Sequence, residues 1–278
     1  MTAASEPSFY IHGASPEEQR RLAALNDLIN SRCFRAIDLQ GVESILDVGS
    51  GLGQFTRLLA NNLSHRDHVV GIEQSPQQLG EALRLACEAG EEHLVEFRPG
   101  DALALALRPG EWGAFDLAHT RFLLEHVHDP LTVVRQMVRA VKPGGRIVLA
   151  DDDHDVLRLW PEPPGFAGLW QAYVRSYDRH GNDPYVGRRL VALLHQAGAR
   201  PVGKKWIDFG SCVGEDTFDT VVTNAVKILR GARDTILAES LLDADGFDRA
   251  IEALRDWGRR PDAVLWYAIC WAEGVRPA

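Results

Sequence analysis

The chain lacks a basic surplus: 30 lysines and arginines stand against 39 aspartates and glutamates, a formal net charge of −9. A nucleic-acid substrate asks for a stripe of Lys and Arg against its phosphates, and only short basic pairs occur, at Arg188-Arg189, Lys204-Lys205 and Arg259-Arg260. No nucleic acid is therefore expected as a partner. Cysteine is sparse as well. Cys33, Cys87, Cys212 and Cys270 lie far apart and form no C-x-x-C pair, which excludes a disulfide framework or a thiolate zinc site and fits reduced thiols in the cytosol. No apolar stretch approaches the ~18 residues of a membrane span. The first cationic side chain is Arg20, with no apolar segment before it of the kind an export signal carries. These absences point to a cytoplasmic protein without membrane contact. No internal repeat or low-complexity tract is visible.

What is present is a chain of 278 residues, 45% apolar and 25% charged, long enough for one large core with appendages. Its most informative stretch is Ile45-Leu46-Asp47-Val48-Gly49-Ser50-Gly51-Leu52-Gly53. An apolar run ends there in a glycine-rich turn, and glycine permits positive φ and close approach of backbone N–H groups to a ligand. The helix that follows, with Phe55, Leu58, Leu59 and Leu63 on one face, turns its positive end toward that turn. A dinucleotide site wants G-x-G-x-x-G; here the third glycine comes one residue early. Glu73 closes the apolar run Val69-Val70-Gly71-Ile72, a place from which a carboxylate accepts both hydroxyls of a ribose.

The pattern Asp47-x-Gly49-x-Gly51-x-Gly53 resembles motif I of class I S-adenosylmethionine-dependent methyltransferases. Four further landmarks follow in that family's order: Glu73; Asp101 in Arg98-Pro99-Gly100-Asp101-Ala102; Phe115-Asp116-Leu117-Ala118-His119; and Lys142-Pro143-Gly144-Gly145 before an apolar strand. The resemblance covers roughly residues 42 to 150 and is closest to the branch of ubiquinone and menaquinone biosynthesis and natural-product tailoring. It implies S-adenosylmethionine as cofactor, bound by Asp47, Gly49, Ser50, Gly51, Gly53, Glu73, Gln74, Asp101, Ala102, His119, Thr120 and Arg121. Tyr10, before His12-Gly13, resembles the N-terminal residue that closes over the methionine end of that cofactor.

Strands are expected at 44–48, 68–72, 93–97, 115–119 and 145–150, alternating with helices at 54–63, 76–89 and 130–141. Such alternation predicts an α/β fold, a doubly wound, mostly parallel sheet with ligands at the carboxyl ends of its strands. The resemblance makes that sheet seven-stranded, the Rossmann-like methyltransferase fold. An N-terminal helix starting at Ser15-Pro16-Glu17-Glu18 precedes it. Helices near 166–180 and 185–197 lead to a sixth strand near 201–210 and a seventh near 263–271. Between these last two, helical patterns at 215–230, 233–242 and 246–257 make an insertion, expected as a lid over the site, with a packing or dimerisation element as the alternative. The organisation expected is a helical cap over 1–40, the cofactor-binding core over 41–150, and the rest of the same domain over 151–278 with 215–257 as cover. A homodimer is compatible with this layout.

A methyl on a sulfonium is already activated, so alignment and exclusion of water come first. An oxygen or carbon acid still has to lose a proton, and histidine is the usual agent. His126, in Leu124-Glu125-His126-Val127-His128, is the first candidate base; His119 is a second, with cofactor contact its favoured role. His126 and His128 are two apart, which points them to different sides of a helix. The run Asp151 to Asp155 offers oxygen ligands, yet strand four ends in His119-Thr120 rather than an acid, so no metal is expected. Phe122, Trp160, Phe166, Trp170, Tyr173 and Tyr177, with Tyr10, fall in segments expected to line or cap the cleft. The substrate expected is a small apolar or aromatic molecule, methylated on oxygen before carbon or nitrogen. The alternatives are a fold relative that binds the cofactor without turnover, as a regulatory or assembly partner, and a nicotinamide-dependent oxidoreductase.

Overall fold

The computed structural model describes residues 26, 28–64, 68–178 and 181–278. Tyr10, His12 and the expected helix start at Ser15 lie outside the described residues. Five parallel strands form the scaffold: β1 (Ser44–Val48), β2 (His68–Glu73), β3 (Glu96–Pro99), β4 (Phe115–Arg121) and β5 (Val141–Asp151). β7 (Arg200–Asp208) and β10 (Ala268–Val275) complete a seven-stranded sheet of order β3-β2-β1-β4-β5-β10-β7, in which β10 runs antiparallel to both neighbours. The order reverses at β1, between β2 and β4. In open α/β sheets that reversal leaves a crevice at the strands' carboxyl ends.

Local chemistry sets most helix boundaries. α1 (Gln54–Asn61) begins behind Gly53, whose φ of 69° no other residue adopts cheaply. Ser75 caps α2 (Pro76–Glu88) by accepting from the Gln78 N–H, and Asp129 caps α3 (Pro130–Ala140) by accepting from Thr132 N–H, each with proline in the first turn. α4 (Phe166–Arg175) is shorter than its apolar pattern. The helix expected from 185 opens instead as the 3-10 turn Val186–Arg189 before α5 (Leu190–Gln196), because Gly187 N–H donates to the Asp152 carbonyl at 2.9 Å. The insertion folds as α6 (Phe218–Gly231), α7 (Arg233–Ala238) and α8 (Ala244–Trp257). Asp243 caps α8 through the Gly246 N–H, which draws its start ahead of the expected 246.

Three apolar clusters hold these layers. One side of the sheet packs Val133, Val134 and Met137 of α3 and Leu193 and Leu194 of α5 onto Leu46, Ile147 and Leu149. The other packs Phe55 and Leu59 of α1, with Ile29 and Cys33 of the helical residues 28–34, against Ile45, Val148 and Trp271. The third lies beyond the sheet, where α4, α6 and α8 bury Leu169, Tyr173, Val222, Phe247, Leu254 and Trp257 together. A small antiparallel sheet, β6 (Arg158–Trp160), β9 (Val264–Trp266) and β8 (Ser211–Cys212) in the order β6-β9-β8, carries Leu159 and Leu265 into that third cluster. Periodicity did not announce this sheet, whose strands have two or three residues each. Trp160, expected to line or cap the cleft, lies on it 70% exposed. Among the described residues no helix is long and apolar enough to cross a membrane.

Gly53 is the hinge of the site's scaffold. A Cβ there would stand 2.3 Å from Phe97 Cζ, and φ is positive. Gly53→Ala is expected to cost about 1–3 kcal/mol in chemical denaturation. Adding Phe97→Ala should relieve the steric part of that loss and leave the strain of the left-handed backbone.

Candidate functional site

β1 ends in a loop that returns its N–H groups to the neighbouring strand and its acid. Gly49 and Ser50 N–H both donate to the Ile72 carbonyl, and Gly51 N–H donates to Glu73 Oε2 at 2.9 Å. Glu73 Oε1 accepts from Ser75 N–H at 2.8 Å. Each carboxylate oxygen thus keeps a lone pair for a ligand, since an ionised carboxylate offers about four acceptor positions. Burial raises the Glu73 pKa, a rise that the backbone N–H groups of Ser75, Gly51 and Gln74 offset only in part. Asp47 is likewise buried, with Oδ1 2.7 Å from His119 Nδ1 and Oδ2 accepting from Thr56 Oγ1.

One cavity of about 440 Å³ runs along the sheet's carboxyl edge. Asp47, Gly49, Ser50, Gly51, Glu73, Gln74, Asp101, Ala102, His119, Arg121 and His126 line it, as the sequence leads one to expect. Two of the expected cofactor residues do not. Thr120 Oγ1 donates to the Val48 carbonyl at 2.8 Å and is wholly buried between β1 and β4, while Gly53 packs against Phe97. Several buried polar atoms of the cavity residues have no hydrogen-bond partner among the described residues: Ser50 Oγ, Gln54 Oε1, His119 Nε2 and Arg121 Nη1. Buried polar groups are nearly always paired. Such a set suits a ligand with both acceptor and donor groups, as the amino-acid end of S-adenosylmethionine has. Arg121 is held for this by Asn26 and Asn30, whose Oδ1 atoms accept from its Nη2 at 2.8 and 2.9 Å, and by the Phe55 ring 4.4 Å beneath its guanidinium.

The other end of the cavity is a cluster that sequence reasoning did not assemble. Glu125 Oε2 accepts from Tyr177 hydroxyl at 3.0 Å and stands 3.1 Å from His154 Nε2, while Oε1 is 3.5 Å from His126 Nε2. His154 Nδ1 is 3.1 Å from the Tyr267 hydroxyl, and its ring meets Trp170, Tyr173 and Tyr177 edge-on. Tyr173 and Tyr177 join hydroxyls at 3.0 Å. Asp152, Trp170, Phe209 and Tyr267 complete the wall, with Val221, Asn224, Ala225 and Ile228 from α6. Of the expected aromatic residues, Phe122, Trp170, Tyr173 and Tyr177 reach the cavity, and Phe166 packs in the third cluster behind it. Glu125 beside His126, and the histidine within the acidic run 151–155, were the signals available in the sequence.

These elements are fixed through Asp151. Its carboxylate, fully buried, accepts from the Leu123, Leu124 and Asp152 N–H groups at 3.1, 2.8 and 3.1 Å. Phe122 just before takes φ of 53°, a strained turn for a non-glycine residue that brings those N–H groups round. Glu125, Asp152 and His154 offer ligand atoms within 4.8 Å of one another. Of the three, Glu125 and His154 are already engaged by the tyrosine hydroxyls.

Comparison with known proteins agrees with this geometry. Residues 46–149 match the family described as methyltransferase domain. The chain is 32% identical over 198 residues to a 37.1 kDa protein of transposon Tn4556 from Streptomyces fradiae, covering 66% of this chain and 53% of that one. To demethylmenaquinone methyltransferase of Lactococcus lactis it is 34% identical over 138 residues, covering 49% and 53%. The chain thus spans about half the length of these curated relatives. A crystallised Bacillus halodurans protein assigned as a methyltransferase superposes with a TM-score of 0.58 at 17% identity, covering 90% of this chain and 99% of its own, a likeness of fold.

The buried acids give the protein a pH signature. Burial, with Glu125 as a neighbouring charge, pushes the Asp152 carboxyl well above its usual value of 3.8, and nearby His154 opposes this. A raised folded value means stability is fully present below the unfolded pKa and is lost as pH rises through the folded one. Asp152→Asn should therefore gain on the parent protein in urea midpoint as pH rises above the usual carboxylate range. A difference that does not vary with pH would show an ordinary carboxyl.

Proposed function

Because this chain carries a domain of the class I S-adenosylmethionine-dependent methyltransferase family, we propose that it transfers a methyl group from that cofactor to a small organic acceptor, oxygen being the favoured atom. The observation that carries the reading is Glu73: a carboxylate anchored by Gly51 and Ser75 N–H groups, one on each oxygen, at the reversal point of the sheet. Each oxygen retains a lone pair for one ribose hydroxyl. Asp101, whose Oδ1 accepts from its own loop at Leu103 N–H, is assigned to the adenine end. Arg121 Nη1 is assigned to the cofactor carboxylate and Gln54 Oε1 to its ammonium, with Gly49, Ser50 and Gly51 as the floor.

When bound, the cofactor supplies an electrophilic methyl on sulfur. The chain's task is to align the acceptor, keep water out and take up a proton. His126 is assigned as base: it lines the cavity, is stacked on Tyr177 at 5.9 Å, and has Glu125 3.5 Å away to stabilise the imidazolium. His119, bonded to Asp47 in the buried strand ends, is assigned to cofactor contact. The apolar wall of Leu157, Val221, Ile228 and Leu265, with the aromatic rings, supports an acceptor with an apolar or aromatic body. The helices within 215–257 are assigned as the cover of the acceptor end, through α6, whose residues supply that wall.

Calorimetric titration tests the assignment. S-adenosylhomocysteine should bind one to one, with Glu73→Ala weakening it about 10- to 100-fold and Arg121→Ala about 10-fold. Absence of heat with the parent protein would overturn the reading, and an unchanged affinity in Glu73→Ala would remove the ribose assignment.

A further inference from the structure

The acceptor end of the cavity has a charge pattern more restrictive than its shape. Glu125 and Asp152 both face it, and among the described residues that line the cavity the single Lys or Arg is Arg121. Arg121 belongs to the other end, fixed by Asn26, Asn30 and the Phe55 ring beside the Asp47–His119 pair. The remaining basic groups are His126 and His154, each within hydrogen-bonding or ion-pair range of Glu125. Asp152 Oδ1 is buried with no hydrogen-bond partner among the described residues. The rest of the wall combines the rings of Trp170, Tyr173, Tyr177, Phe209 and Tyr267 with Leu157, Val221, Ala225, Ile228 and Leu265 and one amide, Asn224.

A head group entering this end meets acceptor oxygens and ring faces. A carboxylate or phosphate would place an anion beside two buried carboxyl groups, with no Lys or Arg of this end among the described residues to pair it. A hydroxyl or an ammonium would instead satisfy the orphaned oxygen, and aromatic walls add attraction for a cation. Resting on the methyltransferase reading above, we propose that Glu125 and Asp152 are the specificity-determining residues for the acceptor. They select a hydrogen-bond-donating head, hydroxyl or protonated amine, on an aromatic or apolar body, and exclude acidic heads.

The test uses the full chain saturated with S-adenosylhomocysteine and three ligands that share one body: naphthylmethanol, naphthylmethylamine and naphthoate, titrated near neutral pH. The alcohol or the amine should bind at least about 10-fold more tightly than naphthoate, and the stronger of the two identifies which donor the site prefers. In Glu125→Gln and Asp152→Asn, the preference over naphthoate should shrink about 10-fold while S-adenosylhomocysteine affinity stays within about 3-fold of the parent. Naphthoate binding as well as the alcohol and the amine, a preference unchanged in both variants, or no binding of any ligand up to about millimolar concentration overturns the proposal. If either variant fails to fold, the ranking on the parent protein still decides. Failure of the methyltransferase reading shows separately, as loss of S-adenosylhomocysteine binding before the three ligands are added.

Discussion

A single buried carboxylate holds the two halves of this site in register. Asp151 ends β5 and accepts three backbone N–H groups, two of them from the loop that leaves β4. Without those bonds the Leu123 and Leu124 N–H groups would be buried and unpaired, a cost of about 1–3 kcal/mol each. With them, Glu125 and His126 stand opposite Asp152 and His154. The strained turn at Phe122 is held by the same bonds, together with its own N–H to the Ala150 carbonyl.

The cavity that results combines two kinds of construction. The end at β1 is made of backbone: a glycine turn, a strand end and the N–H groups that orient Glu73. Such parts are rigid because the parallel sheet is buried on both faces. The opposite end is made of side chains from four distant segments, Glu125, Asp152 with His154, Trp170 through Tyr177, and Tyr267. These come together because α4, α6 and α8 pack on one another beyond the sheet. A family can keep the first construction while the second varies, so fold alone does not state a substrate.

The strand and helix order from Ser44 to Asp151 was legible in the sequence to within a few residues, since each element there has a strong periodicity and a cap or glycine at its boundary. Asp129, Ser75 and Gly53 are local signals that act over three or four residues. Most of the described residues expected at the cofactor line the cavity for the same reason, whereas Thr120 and Gly53 serve the scaffold rather than the cavity wall. The β6-β9-β8 sheet was not legible. Strands of two or three residues carry no readable alternation, and their pairing of Leu159 with Leu265 spans more than a hundred residues.

The sequence by itself determined the alternating architecture, the glycine turn and the acid that follows it, because these depend on backbone conformation and on spacing along the chain. Only the tertiary structure decided that Glu125, Asp152, His154, Tyr177 and Tyr267 share one wall, and that Trp160 does not belong to it. Contacts between residues far apart in sequence follow from how helices pack across a core, and packing depends on the volumes of all the side chains together rather than on any local pattern.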